Sequence, residues 1–442
     1  MKVAFKTLGC KLNYSETSSI SREFTKKGYE KVSFNQTSDI YVINTCSVTQ
    51  NADKEFKYLV NKVKRKNPNS SVVAIGCYAQ LKPKKISQIK GVDIVIGADK
   101  KFEIENYINF EKNEFNNVHS CEIDTVNLFK SSYSIGDRTR SFLKVQDGCD
   151  YKCTYCTIPL ARGKSRSGKI SELISTARYL VDNGIKEIVL TGINIGDYGI
   201  YDLKSKKRES NFNELINEID KIKFLNRVRI SSIEPNLLTD SIIKFVSESK
   251  IFVNHFHIPL QSGSDKILKS MKRRYLTQFY KERILKIKEL MPDCCIGVDV
   301  IVGFPGESDD DFEETFKFLT KLDVSYLHVF SYSERDNTES IHLKNKVSNN
   351  IKSQRSKILR GLSLQKKKIF YEKNLTETRS VLFESKNNDG YILGYTDNYV
   401  RVRALWSKKL VDRVINCELI ELNDDLIVKA KPLVRELTVS HQ

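Results

Sequence analysis

Short apolar runs separated by longer, helix-compatible stretches recur along most of the chain and restrict its fold strongly. In the first segment, residues 1–127, such runs predict four strands, at residues 3–5, 40–43, 72–75 and 94–96. Continuous apolar runs are typical of parallel strands buried on both faces. Because helical stretches such as 15–27 and 53–65 separate them, this segment is predicted to be a doubly wound α/β sheet. Residues 1–10 alternate apolar and polar side chains and are predicted to hold the first strand, not a targeting signal.

The alternation continues in a second segment, residues 138–370, after a stretch rich in Asn, Ser and Thr at 112–140 that is predicted to be a linker. Six strands are predicted there, at residues 142–145, 188–190, 228–231, 255–258, 296–302 and 327–330. Six strand–helix units are too few for a complete eightfold barrel. They predict a partial (β/α)6 barrel, with its active site at the carboxyl ends of the strands.

The last segment, residues 371–442, changes character. Its short alternating runs, at 399–403 and 425–428, predict antiparallel strands that form a small β-barrel of the oligonucleotide-binding kind. The predicted architecture is therefore a multidomain α/β protein with an α/β first domain, a partial barrel and a small antiparallel barrel.

Charge and cysteine content narrow the class of protein. The 442 residues carry a net charge of +18, which favours a polyanionic partner such as nucleic acid, although a solvated Lys-rich surface gives the same balance. No run of about eighteen apolar residues is present, so we expect no membrane span and a cytoplasmic protein. Ten cysteines in that compartment indicate metal binding or catalysis more than disulfides.

Three cysteines, Cys149, Cys153 and Cys156, follow the first strand of the second segment within eight residues. Their thiolates are able to converge on one metal centre. A structural zinc site requires a fourth protein ligand, and the neighbouring sequence has neither a histidine nor a fourth cysteine. Soft thiolates alone favour an iron–sulfur cluster. Three ligands on a four-iron cluster leave one iron open to a small molecule.

Another three cysteines, Cys10, Cys46 and Cys77, each follow one of the first three predicted strands. Carboxyl ends of parallel strands share one edge of a sheet, where open α/β sheets bind ligands. We therefore expect these thiols to meet in space, despite their separation along the chain. The alternative is three buried cysteines that pack as small hydrophobic residues.

The spacing Cys-x3-Cys-x2-Cys, with Tyr155 before the last cysteine, resembles the radical S-adenosylmethionine superfamily. That resemblance implies a [4Fe-4S] cluster on Cys149, Cys153 and Cys156, whose open iron binds S-adenosylmethionine. Residues after successive predicted strands are then candidate contacts of this cofactor, although the first pair also fits a plain turn between strand and helix. These candidates are Gly192, Asn194, Glu234, Gln261 and Gly303.

The sequence around the first three cysteines resembles the methylthiotransferase family, at residues 7–13, 44–49 and 76–80. The resemblance covers nearly the whole chain, and the last segment is similar to a TRAM domain. It implies a second [4Fe-4S] cluster on Cys10, Cys46 and Cys77. It also implies tRNA as substrate, modified at A37 of the anticodon loop, and a small electron-transfer partner such as a flavodoxin or ferredoxin.

Within that family, residues 8–13, 146–149 and 255–263 most resemble the bacterial branch that acts on threonylcarbamoyladenosine. This branch methylthiolates C2 of N6-threonylcarbamoyladenosine at position 37 (t6A to ms2t6A). The alternatives are isopentenyladenosine at position 37 of tRNA, an aspartate of a ribosomal protein, and a non-catalytic RNA-binding iron–sulfur or zinc protein. No catalytic side chain is predicted beyond the cluster ligands.

Four arginines lie near predicted strand ends or loops, where they would contact RNA phosphates or form surface salt bridges. They are Arg162, Arg166, Arg273 and Arg274. Ser308, followed by three aspartates, is predicted to begin a helix, because a hydroxyl cap and acidic residues suit the positive end of the helix dipole.

Overall fold

The structure is a computed structural model that describes residues 1–47, 50–108, 117–136, 139–203 and 207–433. Parts of the predicted features, at residues 48–49, 112–116, 138 and 434–442, lie outside these ranges. Every helix in the described part of the chain is too short or too polar to span a bilayer.

The first segment is a parallel sheet of six strands in the order β2-β1-β3-β4-β5-β6, with helices between the strands. Its strands are β1 (Lys2–Thr7), β2 (Glu30–Val32), β3 (Ile40–Thr45), β4 (Ser71–Gly76), β5 (Ile94–Ile96) and β6 (Asn117–His119). Its helices are α1 (Lys11–Lys26), α2 (Gln50–Lys66), α3 (Cys77–Leu81) and α4 (Pro83–Ser87). The predicted doubly wound α/β sheet is confirmed.

Strands β2 and β6 were not predicted. Strand β6 falls inside the stretch predicted to be a linker, and a short 3-10 helix, Ile123–Thr125, follows it. Both missed strands are three residues long and lie at the edges of the sheet, where each pairs with a single neighbour. Because an edge strand is only partly buried, its sequence lacks the apolar run that marks the central strands.

The second segment contains six parallel strands, as predicted. They form two hydrogen-bonded groups, β11-β10-β7 and β12-β13-β14, and isolated bridges, such as that between Ser232 and His257, join the groups into one open barrel. The six strands are β7 (Arg140–Lys144), β10 (Glu187–Thr191), β11 (Arg227–Ile230), β12 (His255–His257), β13 (Cys295–Val302) and β14 (Tyr326–Ser331), and the segment also contains β8 (Gln146–Asp147) and β9 (Arg166–Ser167). The short strands β8 and β9 pair only with each other.

Helices surround this partial barrel and pack on it through a large apolar core that includes Leu190, Val298 and Leu319. They are α5 (Ile158–Arg162), α6 (Ile170–Asp182), α7 (Phe212–Asp220), α8 (Asp240–Glu248), α9 (Asp265–Ser270), α10 (Thr277–Leu290), α11 (Asp309–Lys321) and α12 (Asn349–Glu372). The predicted start of α11 is confirmed, because Ser308 and Asp311 form a reciprocal capping box.

The last segment is a closed barrel of five strands in the order β15-β16-β17-β19-β18. They are β15 (Thr378–Asn388), β16 (Tyr391–Thr396), β17 (Arg401–Leu405), β18 (Val414–Leu422) and β19 (Val428–Pro432). Two strands begin later than predicted. Tyr399 and Leu426 have positive φ angles, of 65° and 53°, which place them in turns instead of strands.

This small barrel sits at the amino ends of the partial-barrel strands. The hydroxyl of Tyr399 donates a hydrogen bond to Glu187, at the start of β10, and Nη1 of Arg227, at the start of β11, donates to the Tyr395 carbonyl. The carboxyl ends of those strands, where the site was predicted, therefore lie at the opposite end of the partial barrel.

Candidate functional site

The three cysteines of the first segment converge at one edge of its sheet. The register pairs Thr7 with Asn44 and Thr45 with Gly76, so the chain leaves adjacent strands side by side. Cys10 directly precedes α1, Cys46 follows β3, and Cys77 begins α3. The segments are in close contact, because a Cβ on Gly9 would lie 2.8 Å from Cβ of Cys46. Gly9 also has a φ of 98°, which favours glycine.

The second triplet lies on a compact loop between β8 and α5. The amide of Cys149 donates to the Gly163 carbonyl at 3.0 Å, and the amide of Cys156 donates to the Cys153 carbonyl at 3.1 Å. Nη1 of Arg273 donates to Sγ of Cys153 at 3.1 Å. The loop is thus held by its own backbone and by a cation that suits a thiolate.

The residues that follow the two triplets meet at the junction of the first two segments. Helix α3, which begins at Cys77, packs against α5, which follows the second triplet. Ser47 and Thr157, the residues directly after Cys46 and Cys156, bring their hydroxyl oxygens within 3.5 Å of each other. Groups bound by the two triplets would therefore share one space.

The donor sets fit polynuclear clusters better than single zinc ions. Zn–S bonds of about 2.3 Å in a tetrahedral site place sulfurs about 3.8 Å apart. Among the described residues, three metal-ligating atoms lie within 4.8 Å of one another only in the trio His257, Asp299 and His328, so both cysteine triplets are more widely spaced. Burial raises the pKa of Cys149 and Cys156 to about 12. Binding to iron would reverse this shift and hold them as thiolates.

Gly192 and Asn194 lie on the loop after β10, which packs against Gln146, three residues before Cys149. Oε1 of Gln146 accepts hydrogen bonds from the amides of Ile193 and Asn194, both at 2.9 Å, and this fixes the loop. The Asn194 side chain is 2% exposed, and neither its oxygen nor its nitrogen has a hydrogen-bond partner in the described protein. A buried amide in this state is ready to bind a polar ligand.

The other predicted cofactor contacts have different surroundings. Glu234 is half-buried and forms an ion pair with Arg273, although desolvation still raises its pKa. Gln261 has a φ of 74°, which is a strained conformation that clusters at functional sites, and it lines a cavity of about 220 Å³ beside Cys156. Gly303 has a φ of 74° and packs against Lys352 of α12, which is a structural reason for glycine there.

A network of buried charges connects the first two segments, and the sequence analysis singled out only Arg162 among those described next. Glu16, on α1, is fully buried and accepts hydrogen bonds from Lys101 at 2.7 Å, Lys144 at 3.0 Å and Arg162 at 3.1 Å. Asp147, on β8, is buried beside the same cations and pairs with Lys144 at 2.8 Å and Arg162 at 2.9 Å. These cations lower the pKa of both carboxyl groups.

Arg162 also connects this network to the first triplet. Its guanidinium donates to the Asn13 side chain, and Nδ2 of Asn13 donates to the carbonyls of Leu8 and Thr45, both at 3.1 Å. Thr45 directly precedes Cys46. The helix that follows the second triplet is thus hydrogen-bonded to the loops that present the first.

The sequence interpretation of three of the four arginines as RNA contacts or surface salt bridges is wrong. Arg162, Arg166 and Arg273 are each buried, with side chains 3–4% exposed, and each pairs with a buried or half-buried carboxylate. Arg274 lies over the ring of Tyr151, at 3.8 Å from its centroid. The position of an arginine near a predicted strand end does not tell whether its side chain is exposed or buried between two segments.

Comparisons with known proteins agree with this site. Residues 143–319 match the family model of the radical SAM superfamily, and residues 2–97 match that of the uncharacterized protein family UPF0004. Among solved structures, the radical S-adenosylmethionine methyltransferase TsrM from Kitasatospora setae shares the fold, with a TM-score of 0.53 over 74% of this chain and 72% of that chain. At 12% identity, this likeness shows the fold alone.

Relatives of known activity are similar over almost the whole chain. Threonylcarbamoyladenosine tRNA methylthiotransferase MtaB of Bacillus subtilis is 39% identical, over 95% of this chain and 94% of that protein. MtaB of Aquifex aeolicus is 38% identical, over 91% and 96%. A tRNA-2-methylthio-N(6)-dimethylallyladenosine synthase of Sulfurimonas denitrificans is 33% identical, over 93% and 94%. The chain therefore belongs to the tRNA methylthiotransferase family of radical S-adenosylmethionine enzymes.

Proposed function

We propose that this enzyme methylthiolates C2 of N6-threonylcarbamoyladenosine at position 37 of tRNA, in the anticodon loop. The observation that carries the proposal is the approach of the two cysteine triplets, with Ser47 and Thr157 hydroxyls 3.5 Å apart. The family membership supplies the reaction class, and the similarity to the MtaB proteins favours this adenosine. The dimethylallyl-adenosine relatives make the isopentenyl nucleoside the second candidate.

Each triplet is proposed to hold one [4Fe-4S] cluster. Cys149, Cys153 and Cys156 would bind the cluster that receives S-adenosylmethionine and supplies radical chemistry, and the second cluster would be bound by the other triplet, Cys10, Cys46 and Cys77. The residues around the two clusters would position the cofactor and exclude water. Arg273 donates to Sγ of Cys153 and keeps negative charge favourable there.

Adenine C2 carries an unactivated aromatic C–H bond, and no side-chain base deprotonates such a bond usefully at neutral pH. The chain is therefore expected to contribute orientation, while the cofactor supplies the reactive species. We accordingly assign no acid–base residue and give Gly192, Asn194, Glu234, Gln261 and Gly303 the role of shaping the cofactor site.

The macromolecular partners follow from the proposed substrate. The net charge of +18 suits tRNA, and the five-stranded barrel, which we propose to be a TRAM domain, would add RNA contacts. A small flavodoxin or ferredoxin would deliver electrons to the clusters. Because tRNA is modified in the cytoplasm, we propose that location.

The proposed substrate is tested by mass spectrometry of tRNA nucleosides from a strain that lacks this gene. We expect ms2t6A to disappear, t6A to accumulate, and the gene on a plasmid to restore the product. The isopentenyl-derived methylthio nucleoside serves as the internal control and should not change. Loss of that nucleoside in place of ms2t6A would contradict the choice of adenosine, and loss of neither would contradict tRNA as substrate.

Replacement of Asn194 by alanine is expected to weaken cofactor binding without lowering the stability of the protein. Because the buried Asn194 amide has no partner in the described protein, its removal should leave the melting temperature unchanged or raise it. Affinity for S-adenosylmethionine should fall about tenfold, as expected for loss of a hydrogen bond to a charged ligand. Equilibrium binding and thermal unfolding of the reconstituted enzyme measure both effects. Unchanged affinity would remove Asn194 from the cofactor site.

A further inference from the structure

A cavity of about 510 Å³ lies inside the partial barrel, between the first triplet and the small C-terminal barrel. We call it the lumen chamber and define it by six of its lining residues: Lys11, Arg229, His255, His257, His328 and Tyr399. Arg229, His257 and His328 come from β11, β12 and β14 and point into the barrel, where apolar side chains are usual. No carboxylate is among its described lining residues.

Arg229 is the strongest indication that the chamber suits an anion. It is 9% exposed, and within the described chain it makes no hydrogen bond or ion pair, while its buried Nε is unpartnered. Its guanidinium lies 4.3 Å from the centroid of the Tyr399 ring. A buried, unpaired cation is costly, because it loses its hydration without gaining a counter-charge.

The carboxylates near the chamber are already engaged. Oδ1 of Asp299 accepts hydrogen bonds from His257 at 2.8 Å and from His328 at 3.2 Å. Arg140, another lining residue, is paired with Glu187 at 3.3 Å, and with a glutamate of the small barrel. Neither Arg229 nor Lys11 forms an ion pair with a carboxylate of the described residues, although Asp299 is near enough to act on the charge of Lys11.

The chamber lies close to the first triplet and to the cavity beside Cys156. Lys11 directly follows Cys10, so one wall begins at the first triplet. Asp299, which binds two chamber histidines, also lines the 220 Å³ cavity that contains Cys156 and Gln261. A nucleobase held beside Cys156 would thus have the chamber on the far side of Asp299.

We propose that the lumen chamber binds the carboxylate of the amino-acid group on N6 of the target adenosine, with Arg229 and Lys11 as its partners. The inference rests on the proposed function and deepens it, because it names the part of the substrate that selects this nucleoside. A threonylcarbamoyl group ends in a carboxylate, whereas an isopentenyl group is apolar and would leave both cations unpaired. Discrimination against the apolar group follows from the cost of that unpaired charge.

The test compares two synthetic anticodon stem-loops that carry N6-threonylcarbamoyladenosine, one with a free carboxylate and one with its methyl ester. Binding to the anaerobically reconstituted enzyme is measured by fluorescence anisotropy. We expect the free carboxylate to bind about 10- to 100-fold more tightly, as expected for a charge-assisted hydrogen bond. In Arg229→Gln, this preference should shrink to about twofold, and Arg229→Lys should retain part of it.

Arg178→Gln, on the exposed face of α6, is the matched control and should keep the full preference. Thermal unfolding checks that each variant is folded. If Arg229→Gln is not folded, Lys11→Gln at the partly exposed edge carries the same expectation. Equal binding of acid and ester by the unmodified enzyme, or a full preference in folded Arg229→Gln, would overturn the chamber assignment. Conversion of t6A in the same samples tests the proposed function separately, because it can persist when the chamber assignment fails.

Discussion

Replacement of Cys46 by alanine is expected to abolish the methylthio product while cleavage of S-adenosylmethionine continues. Cys46 belongs to the proposed second cluster, and Cys149, Cys153 and Cys156 would keep the first. Iron per chain should fall from about eight to about four. Nucleoside mass spectrometry, 5′-deoxyadenosine formation and iron analysis of the reconstituted protein measure the three effects.

Cys121→Ala is the matched control, since Cys121 is also partly buried in the first segment but lies outside both triplets. It should keep the product and the full iron content. A Cys46→Ala protein that still forms the product would contradict the second cluster. A variant that loses S-adenosylmethionine cleavage as well would show that the two triplets act as one unit.

Replacement of Glu16 by alanine is expected to lower the free energy of unfolding by about 3–5 kcal/mol, because it leaves buried cations without their counter-charge. The affected cations are Lys101, Lys144 and Arg162, which contact Glu16 at 2.7–3.1 Å. Since Arg162 also binds Asn13, the loops of the first triplet should loosen. Urea unfolding measures the stability, and hydrogen exchange locates the loosened segments.

Glu23→Ala is the control on the same helix, because Glu23 forms an exposed pair with Lys26. It should change the stability by no more than about 0.5 kcal/mol. A similar effect of both substitutions would contradict the structural role of the buried network.

The same network gives a pH dependence with a definite sign. The pKa values of Glu16 and Asp147 are lowered in the folded state by the surrounding cations. Their stabilisation is therefore fully present above the unfolded values, about 4, and is lost as the pH falls below them. Glu16→Ala should accordingly reduce the loss of stability between about pH 5 and pH 3.

The central strands of the first two segments were predictable because burial on both faces gives them continuous apolar runs. The short edge strands β2 and β6 were not predictable, because an edge strand is only partly buried and lacks such a run. In the small barrel, the alternating pattern identified strands. Because Tyr399 and Leu426 have positive φ angles, two of these strands begin later than predicted. Local sequence thus indicated the element type better than its boundary.

The charged interior was missed for a different reason. Alternation of charged and apolar residues along β11, Arg227-Val228-Arg229-Ile230, was visible in a strand otherwise expected to be apolar. That pattern indicates inward-facing charge and was a usable signal for the chamber. No comparable signal marked Glu16, because a single acid on a polar helix is typical of solvent exposure.

The sequence by itself predicted that each set of three cysteines gathers at one place. Carboxyl ends of adjacent parallel strands share one edge of a sheet, and three cysteines within eight residues lie on one loop. The order of residues along the chain is therefore enough to predict both groupings. Only the tertiary structure decided which charges are paired. Pairing depends on contacts between residues far apart in the chain, such as Glu16 with Arg162, and on cavities that leave a cation such as Arg229 unpaired.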